Sequence, residues 1–448
     1  VFKRILIANR GEIAVRIIRA CREMGITSVA VYSTADRDSL HAELADESIC
    51  IGPASAADSY LKISSIIAAA EIADVEAIHP GYGFLAESAR FATICRESRL
   101  AFIGPSVEAL ALSGDKAQCR RKVLETGVPV APGSHGVLQD PGEACRIARE
   151  VGYPVLVKAS AGGGGRGMRI AHNEATLKHA VAMAASEAEA AFGNGGVYIE
   201  KFIEQGRHIE FQVLGDLHGN LVCLGERECT IQRRHQKLIE ETPSTALTPE
   251  LRERMTKAAL DVARAAGYSS AGTVEFLLAP DSNFHFIELN ARIQVEHPVT
   301  EEATGIDLVR EQIRLAAGEP LGYEALPALY HVIEARVYAE DPALNFRPNP
   351  GIIRRCHIPG GPGIRVDTHL FSGYEVPRYY DSLLAKVIAR GNTRTEAIER
   401  ISGALEELFV ENIATTASLC ARIIRGERFR RGNIGPDLLA EYLEREKV

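Results

Sequence analysis

The chain has 448 residues, 46% of them hydrophobic and 25% charged, the make-up of a globular protein with about two to four domains or lobes. Its net charge of -8 argues against general nucleic-acid binding and leaves room only for a local basic patch. Nine scattered cysteines without a C-x-x-C argue against a disulfide framework or a zinc site, and the apolar run in VFKRILIANRGE is too short for a signal peptide or a membrane span, so a cytoplasmic protein with no membrane partner is expected.

The first elements alternate. Arg4–Ala8 (RILIA) reads as a short buried strand, and Gly11–Met24 as a helix closed by Gly25. Ser28–Tyr32 (SVAVY) is the next strand, Leu61–Ala70 a helix, and Ala77–His79 leads into PGYGF. Such alternation implies a parallel, doubly wound sheet. Asn9-Arg10-Gly11-Glu12 stands at the first strand-to-helix passage, where a dinucleotide domain puts its glycines; only one is present, so that fingerprint is missing. A second segment begins near Ser113, with a helix over Asp115–Glu125, Asp115 near its cap and Gly127 as its stop. The linker VPVAPGS follows, and residues 151–300 are strand-rich, with helices near 174–191 and 249–266. A third segment starts after LGYEALPAL, near residue 330, with short strands, the turns NPG and IPGGPG, and two closing helical patterns after Thr393.

The stretch SAGGGGRGM, Ser160 to Met168, contains Gly162, Gly164 and Gly167 in the G-x-G-x-x-G spacing of a dinucleotide-binding turn. That turn must open a helix, because the pyrophosphate sits on the helix N-terminus. Here Met168-Arg169-Ile170-Ala171 is short and half-apolar and His172-Asn173 is polar, which suggests a returning strand. A Gly-Lys-Ser/Thr phosphate loop is excluded too, since Met168-Arg169 follows Gly167. What survives is a glycine hairpin whose backbone N–H groups can close over a phosphate chain. A plain surface turn is the alternative, but four consecutive glycines cost entropy on ordering, which favours a functional loop. Lys158, ending the strand PVLVK, is well placed for a phosphate. Lys116, in a helical first turn where a cation opposes the dipole, hints at an anion nearby. For either lysine alone, a solvated surface role is the more common case.

From Ile287 the chain reads IELNARIQVE, apolar at every odd position and polar at every even one. Strict alternation puts Glu288, Asn290, Arg292, Gln294 and Glu296 on one face of an extended segment, as an ordinary half-exposed strand also would. Ten residues exceed the usual strand length, so a bend is expected, dividing Glu288 and Asn290 from Arg292, Gln294 and Glu296. Upstream, Thr273–Leu278 (TVEFLL) carries Glu275, and PDSN makes a turn that brings Glu275 near Glu288. Two carboxylates and an amide oxygen suit Mg²⁺, Arg292 offers a fork for a planar oxyanion, and Glu296 is left over as a candidate base. The run Gln232-Arg233-Arg234-His235-Gln236-Lys237 is a basic surface turn or, beside the acidic strip, an anion-binding wall.

These stretches together resemble biotin carboxylase, of the ATP-grasp superfamily, over essentially the full length. IANRGEIAVRIIRA, HPGYGFLAE, KASAGGGGRGM, IQRRHQK, FIELNARIQVEHPVTE, AEDP and YYDSL carry the resemblance, and their order and number make it specific. Ala161 stands where the family loop often has a further glycine, and Ala335 and Tyr338 flank Arg336 where relatives often have other residues. The fold it implies is mixed α/β and α+β. A Rossmann-like N-terminal domain would span 1–113. An ATP-grasp body would span 114–325 with a mobile lid at about 131–203, and a mixed α/β C-terminal domain 326–448.

By similarity, ATP would lie between lid and body. Lys116, Lys158, His208, Gln232 and His235 would approach the nucleotide, with Gly163, Gly164 and Gly165 over its phosphates. Glu200 and the Ile203 backbone would lie at the adenine, with Met168 packed on the ring, and Lys201 and Leu277 would also bind ATP. Glu275 and Glu288 would hold Mg²⁺ or Mn²⁺, assisted by Asn290. Bicarbonate would attack the γ-phosphate to give carboxyphosphate, and the ureido nitrogen of biotin would then be carboxylated. Lys237, Arg292, Gln294 and the Val295 backbone would hold bicarbonate, and Glu296 would act as general base. Arg336 would stabilise the enolate-like oxygen of biotin, with Tyr82 beside that substrate. Met24, Met168, Met183 and Met255 do not precede a lysine, so the Met-Lys-Met carrier motif is expected on a separate subunit or a further segment. The implied partners are that biotin carboxyl carrier, a carboxyltransferase and a second copy of the chain.

Two readings compete. Another ATP-grasp ligase, working through an acylphosphate, would share the loop and Glu275/Glu288 but needs neither Arg292-x-Gln294-x-Glu296 nor RRHQK. An inactive nucleotide-binding subunit would need neither metal ligands nor base, yet all are present.

Overall fold

The computed structural model describes residues 1–138, 140–160, 168–324 and 328–444. The apolar runs at the start form strands β1 (Arg4–Ile7), β2 (Thr27–Ser33), β3 (Glu47–Gly52), β4 (Ala77–His79) and β5 (Ala101–Phe102). They make one parallel sheet in the order β3-β2-β1-β4-β5. Ile5, Leu6 and Ile7 are fully buried, as a strand covered on both faces requires. Helix α1 (Gly11–Glu23) packs its apolar stripe into the same core. The strand order reverses between β1 and β4, which opens a crevice at their C-terminal ends. Asn9 bridges it, donating from Nδ2 to the carbonyls of Pro80 and Tyr82 at 2.7 Å each. Gly81 must be glycine there: its φ is +62°, and a Cβ would meet Asn9 Nδ2 at 3.0 Å.

The next unit is a three-stranded antiparallel sheet of β6 (Val155–Ala159), β7 (Arg169–Ala171) and β8 (Val197–Lys201), with β6 central. Helices Pro141–Val151 and Glu174–Phe192 cover it. β7 returns antiparallel to β6, so the strand expected after the glycine loop is present and the dinucleotide reading fails as argued. The loop's glycines, Gly163, Gly164 and Gly165 among them, lie outside the described residues.

The third sheet is the largest. β9 (Arg207–Gly215), β10 (Leu221–Arg233), β11 (Gln236–Thr242), β12 (Ser270–Leu278), β13 (Phe284–Asn290) and β14 (His331–Tyr338) join strands Leu383–Gly391 and Ile364–Thr368. All eight are antiparallel, and the sheet runs without a break past residue 330, where the sequence suggests a new segment. Helix Pro249–Ala265 packs against the β9–β12–β13 part, and helices Arg394–Glu407 and Ala417–Arg425 cover the β14 part. Two expectations need correction. Among the described residues beyond Thr393 there are four helices rather than two, because Gly426 and Gly432 interrupt the pattern and add Glu427–Arg430 and Leu438–Glu444. The strip's strict alternation does not carry into the strand pairing either: Glu275 pairs with Glu288 but Phe276 with Phe286, so Ile287 is an extra, bulged residue. Among the described residues, no helix is long and apolar enough to cross a membrane.

Candidate active site

A cleft of about 1380 Å³ lies between the three sheets. Its floor is the β12–β13 hairpin, which sets Glu275 directly across from Glu288. Lys116, capped into position at the start of helix Lys116–Leu124, reaches Glu288 Oε2 at 2.5 Å. Glu275 accepts from Lys237 Nζ at 3.2 Å and from Asn290 Nδ2 at 2.9 Å, and His208 Nε2 lies 2.9 Å away. Against the cost of burial, Lys116 holds Glu288 below the usual carboxylate range, and Lys237 with His208 does so for Glu275. Both are therefore ionised at neutral pH. Two ionised carboxylates beside an amide oxygen form the hard-oxygen set that Mg²⁺ or Mn²⁺ takes. His208, Glu210 and Glu275 also bring ligand atoms within 4.8 Å of one another.

At the three-stranded sheet, Lys158 on β6 pairs with Glu200 on β8, and Arg120 lies 3.5 Å from the same carboxylate. Met168, Ile203 and Leu277 line this end with apolar surface, the kind that stacks against a flat ring. Lys201 lines the cleft, but its ammonium donates to the carbonyls of Gly152 and Tyr153 at 3.0 and 2.8 Å and so faces a turn. The basic run divides as well. Arg234 and His235 adopt φ of 49° and 67° at the β10–β11 tip, which turns His235 into the cleft; Gln232 bonds His208 Nδ1 at 2.9 Å. Arg233 does not join the expected anion-binding wall. It stacks 4.1 Å over Phe346 and donates to the Asn345 carbonyl at 2.7 Å.

Past the bend, β13 ends at Asn290 and the strip continues without strand pairing to helix His297–Thr304. Its second cluster is not set apart from the first as expected: Arg292 also reaches Asn290 Oδ1, and Gln294 reaches Glu275 Oε1, each at 3.4 Å. Arg292 pairs with Glu87 at 3.0 Å and donates to Gln294 Oε1 at 2.8 Å. Glu296 lies 2.5 Å from Lys237 and 2.8 Å from Arg336. Arg336 Nε donates to Glu240 at 2.6 Å, while Nη1 meets the Tyr338 hydroxyl at a longer 3.3 Å. Burial pushes the Glu240 carboxyl up to about 7, although Arg336 opposes this. Tyr82 lines the cleft beside them and donates its hydroxyl hydrogen to Glu12.

Apart from Arg233, the described residues expected at the site line this one cleft. Several that matter were not singled out from sequence. Glu210, fully buried on β9, accepts from Lys237 at 2.5 Å and Arg227 at 2.7 Å; Arg227 is itself fully buried and also holds Gln212 and Thr300. The alternation of His208, Glu210 and Gln212 with Ile209, Phe211 and Val213 is the signal that could have found Glu210. Cys229, with no metal-ligand spacing in sequence, is brought beside Glu210 and Glu296.

Known proteins carry the same architecture. Residues 1–110 match the family described as "Biotin carboxylase, N-terminal domain", 115–324 "Carbamoyl-phosphate synthase L chain, ATP binding domain", and 334–441 "Biotin carboxylase C-terminal domain". A biotin carboxylase of Nostoc sp. is 52% identical over 98% of this chain and 99% of its own length. The chain belongs to the biotin carboxylase family. Its activity is biotin carboxylation, the first half-reaction of biotin-dependent carboxylases. Within that family, a pyruvate carboxylase subunit of Methanothermobacter thermautotrophicus is 50% identical over 98% of this chain and 90% of its own. Among solved structures, a Campylobacter jejuni biotin carboxylase in a β,γ-ATP complex superposes with TM-score 0.96 at 46% identity, covering 98% and 99% of the two chains. The biotin carboxylase domain dimer of Hydrogenobacter thermophilus 2-oxoglutarate carboxylase, with MgADP, ADP and bicarbonate, gives 0.95 at 48%, covering 98% of each.

Proposed function

We propose that the cleft performs the biotin carboxylase reaction with its residues divided between two stations. The observation that carries this is the continuity of Glu288, Glu275, Lys237, Glu296 and Arg336 as one chain of charged side chains through a single cleft. Glu275 and Glu288 would hold Mg²⁺ or Mn²⁺ with Asn290, and the metal would supply charge neutralisation for the ATP phosphates. Lys116, Lys158, Gln232 and His235 neutralise and orient the nucleotide.

Lys237, Arg292, Gln294 and the Val295 N–H hold bicarbonate. Glu296 removes its proton as its oxygen attacks the γ-phosphorus, the bond to the β,γ-bridging oxygen breaks, and ADP leaves carboxyphosphate behind. That intermediate breaks down to CO₂ and phosphate. The phosphate takes the ureido proton of biotin, Arg336 stabilises the enolate-like oxygen through its least engaged nitrogen, Nη1, and the freed nitrogen attacks the CO₂ to form the N–C bond of carboxybiotin. Biotin arrives on a carrier, and a carboxyltransferase consumes the product. The Hydrogenobacter thermophilus relative is described as a dimer, and the same assembly is proposed for this chain. So is the division into residues 1–113, 114–325 and 326–448, although one sheet runs through the last boundary.

Glu296→Ala tests the division of labour. Bicarbonate- and biotin-dependent ADP release should fall at least about 100-fold while nucleotide binding persists. Loss of nucleotide binding in a folded variant would contradict the role.

A further inference from the structure

Two buried side chains outside the cleft hold the last peptide planes of the strip. Gln294 O accepts from His297 Nδ1 at 2.8 Å. A carbonyl can only accept, so Nδ1 carries the hydrogen of this fully buried ring. In a trans peptide the C=O and N–H point in opposite directions, so fixing the Gln294 carbonyl aims the Val295 N–H the other way. Gln294, Val295 and Glu296 line the cleft; His297 does not.

The next carbonyl is held as firmly. Lys386 on strand Leu383–Gly391 is fully buried and donates from Nζ to Val295 O at 3.0 Å. The same ammonium lies 3.1 Å from Glu12 Oε2 and 3.8 Å from Asp367 Oδ2. Glu12 uses its other oxygen to accept from Tyr82, and Asp367 accepts twice from Arg365 at 2.8 Å. One cation thus ties the strip to the N-terminal sheet's crevice and to the last strands of the large sheet. Burying an ammonium costs several kcal/mol, and an apolar side chain would join the same strands at less cost. An apolar side chain cannot hold a carbonyl.

We propose that His297 and Lys386 are positioning residues for the oxyanion subsite: they fix the two peptide planes that aim the Val295 N–H and the Glu296 carboxylate at bicarbonate. This rests on the assignment of the Arg292–Glu296 strip to bicarbonate. Lys116, Lys158 and Glu200 of the nucleotide station stand on other elements, helix Lys116–Leu124 and strands β6 and β8.

The test uses the whole chain and measures KM for bicarbonate and for MgATP in ADP release with free biotin. His297→Leu should raise the bicarbonate KM about tenfold and leave the MgATP KM within about twofold. His297→Asn, which keeps an N–H near the Nδ1 position, should recover most of the loss. Should the leucine variant fail to fold, Lys386→Met with Glu12→Gln removes the second anchor together with its counter-charge and carries the same expectation. An unmoved bicarbonate KM in a folded variant, or both constants rising in step, or no recovery with asparagine, would overturn the positioning role. A wild-type protein whose ADP release ignores bicarbonate would overturn the site assignment, and the proposal with it.

Discussion

Glu296 is held by Lys237 at 2.5 Å and Arg336 at 2.8 Å, and against the cost of burial these cations keep it well below the usual carboxylate range. So held, it is ionised but a weak base. In the proposed reaction, a bicarbonate arriving at Lys237 would compete for that cation and add negative charge. Both effects would raise the proton affinity of Glu296 when a base is needed. In the proposed division of labour, Arg336 would serve the other half of the reaction. Arg336→Ala should lower biotin carboxylation about 100-fold and bicarbonate-dependent ADP release by at most about tenfold. Equal losses would count against the enolate role. At this scale the sequence was informative where functional residues crowd together: Glu275, Glu288 and the Arg292–Glu296 face were legible from alternation and a turn. Lys386 was not, because its carbonyl partner is 91 residues away and nothing local marks the pair.

Helix Lys116–Leu124 shows how one element serves both stability and function. Asp115 caps it, accepting from the Gln118 N–H at 2.9 Å, and the Lys116 N–H donates to Ser160 O at 3.0 Å beside the glycine loop. Asp115→Ala should cost about 1 kcal/mol of stability by loss of the cap. It should also raise the MgATP KM severalfold, because Lys116 begins at that cap. A stability loss with an unchanged MgATP KM would uncouple the lysine from its helix. Asp115 and Gly127 announced this helix in sequence. The bulge at Ile287 was not announced, because IELNARIQVE keeps its alternation through the very residue where the pairing slips. Registry belongs to the partner strand, and a single strand does not encode it.

The molecule joins its three larger sheets through buried polar contacts as well as apolar cores, and this shapes its response to acid. His79, His297 and His369 are buried, and burial draws each down to about 3 from 6.5. As pH falls below 6.5 the unfolded chain takes up protons that the folded ring refuses. Their contribution to stability is therefore full above that value and lost progressively toward 3. His369→Gln should remove about 1.5 kcal/mol of the stability loss between pH 6.5 and pH 5, read from urea unfolding at both values. An identical pH dependence in the variant would contradict the assignment. The alternating first segment and the antiparallel return after the glycine loop were legible from pattern. The eight-stranded sheet that runs past residue 330 was not, since a Pro/Gly-rich stretch looks the same whether the strands beyond it found a new sheet or extend an old one. ADP release from MgATP, measured with and without bicarbonate and free biotin, tests the central assignment most directly. Stimulation that requires both is expected, and release that is indifferent to biotin would contradict it.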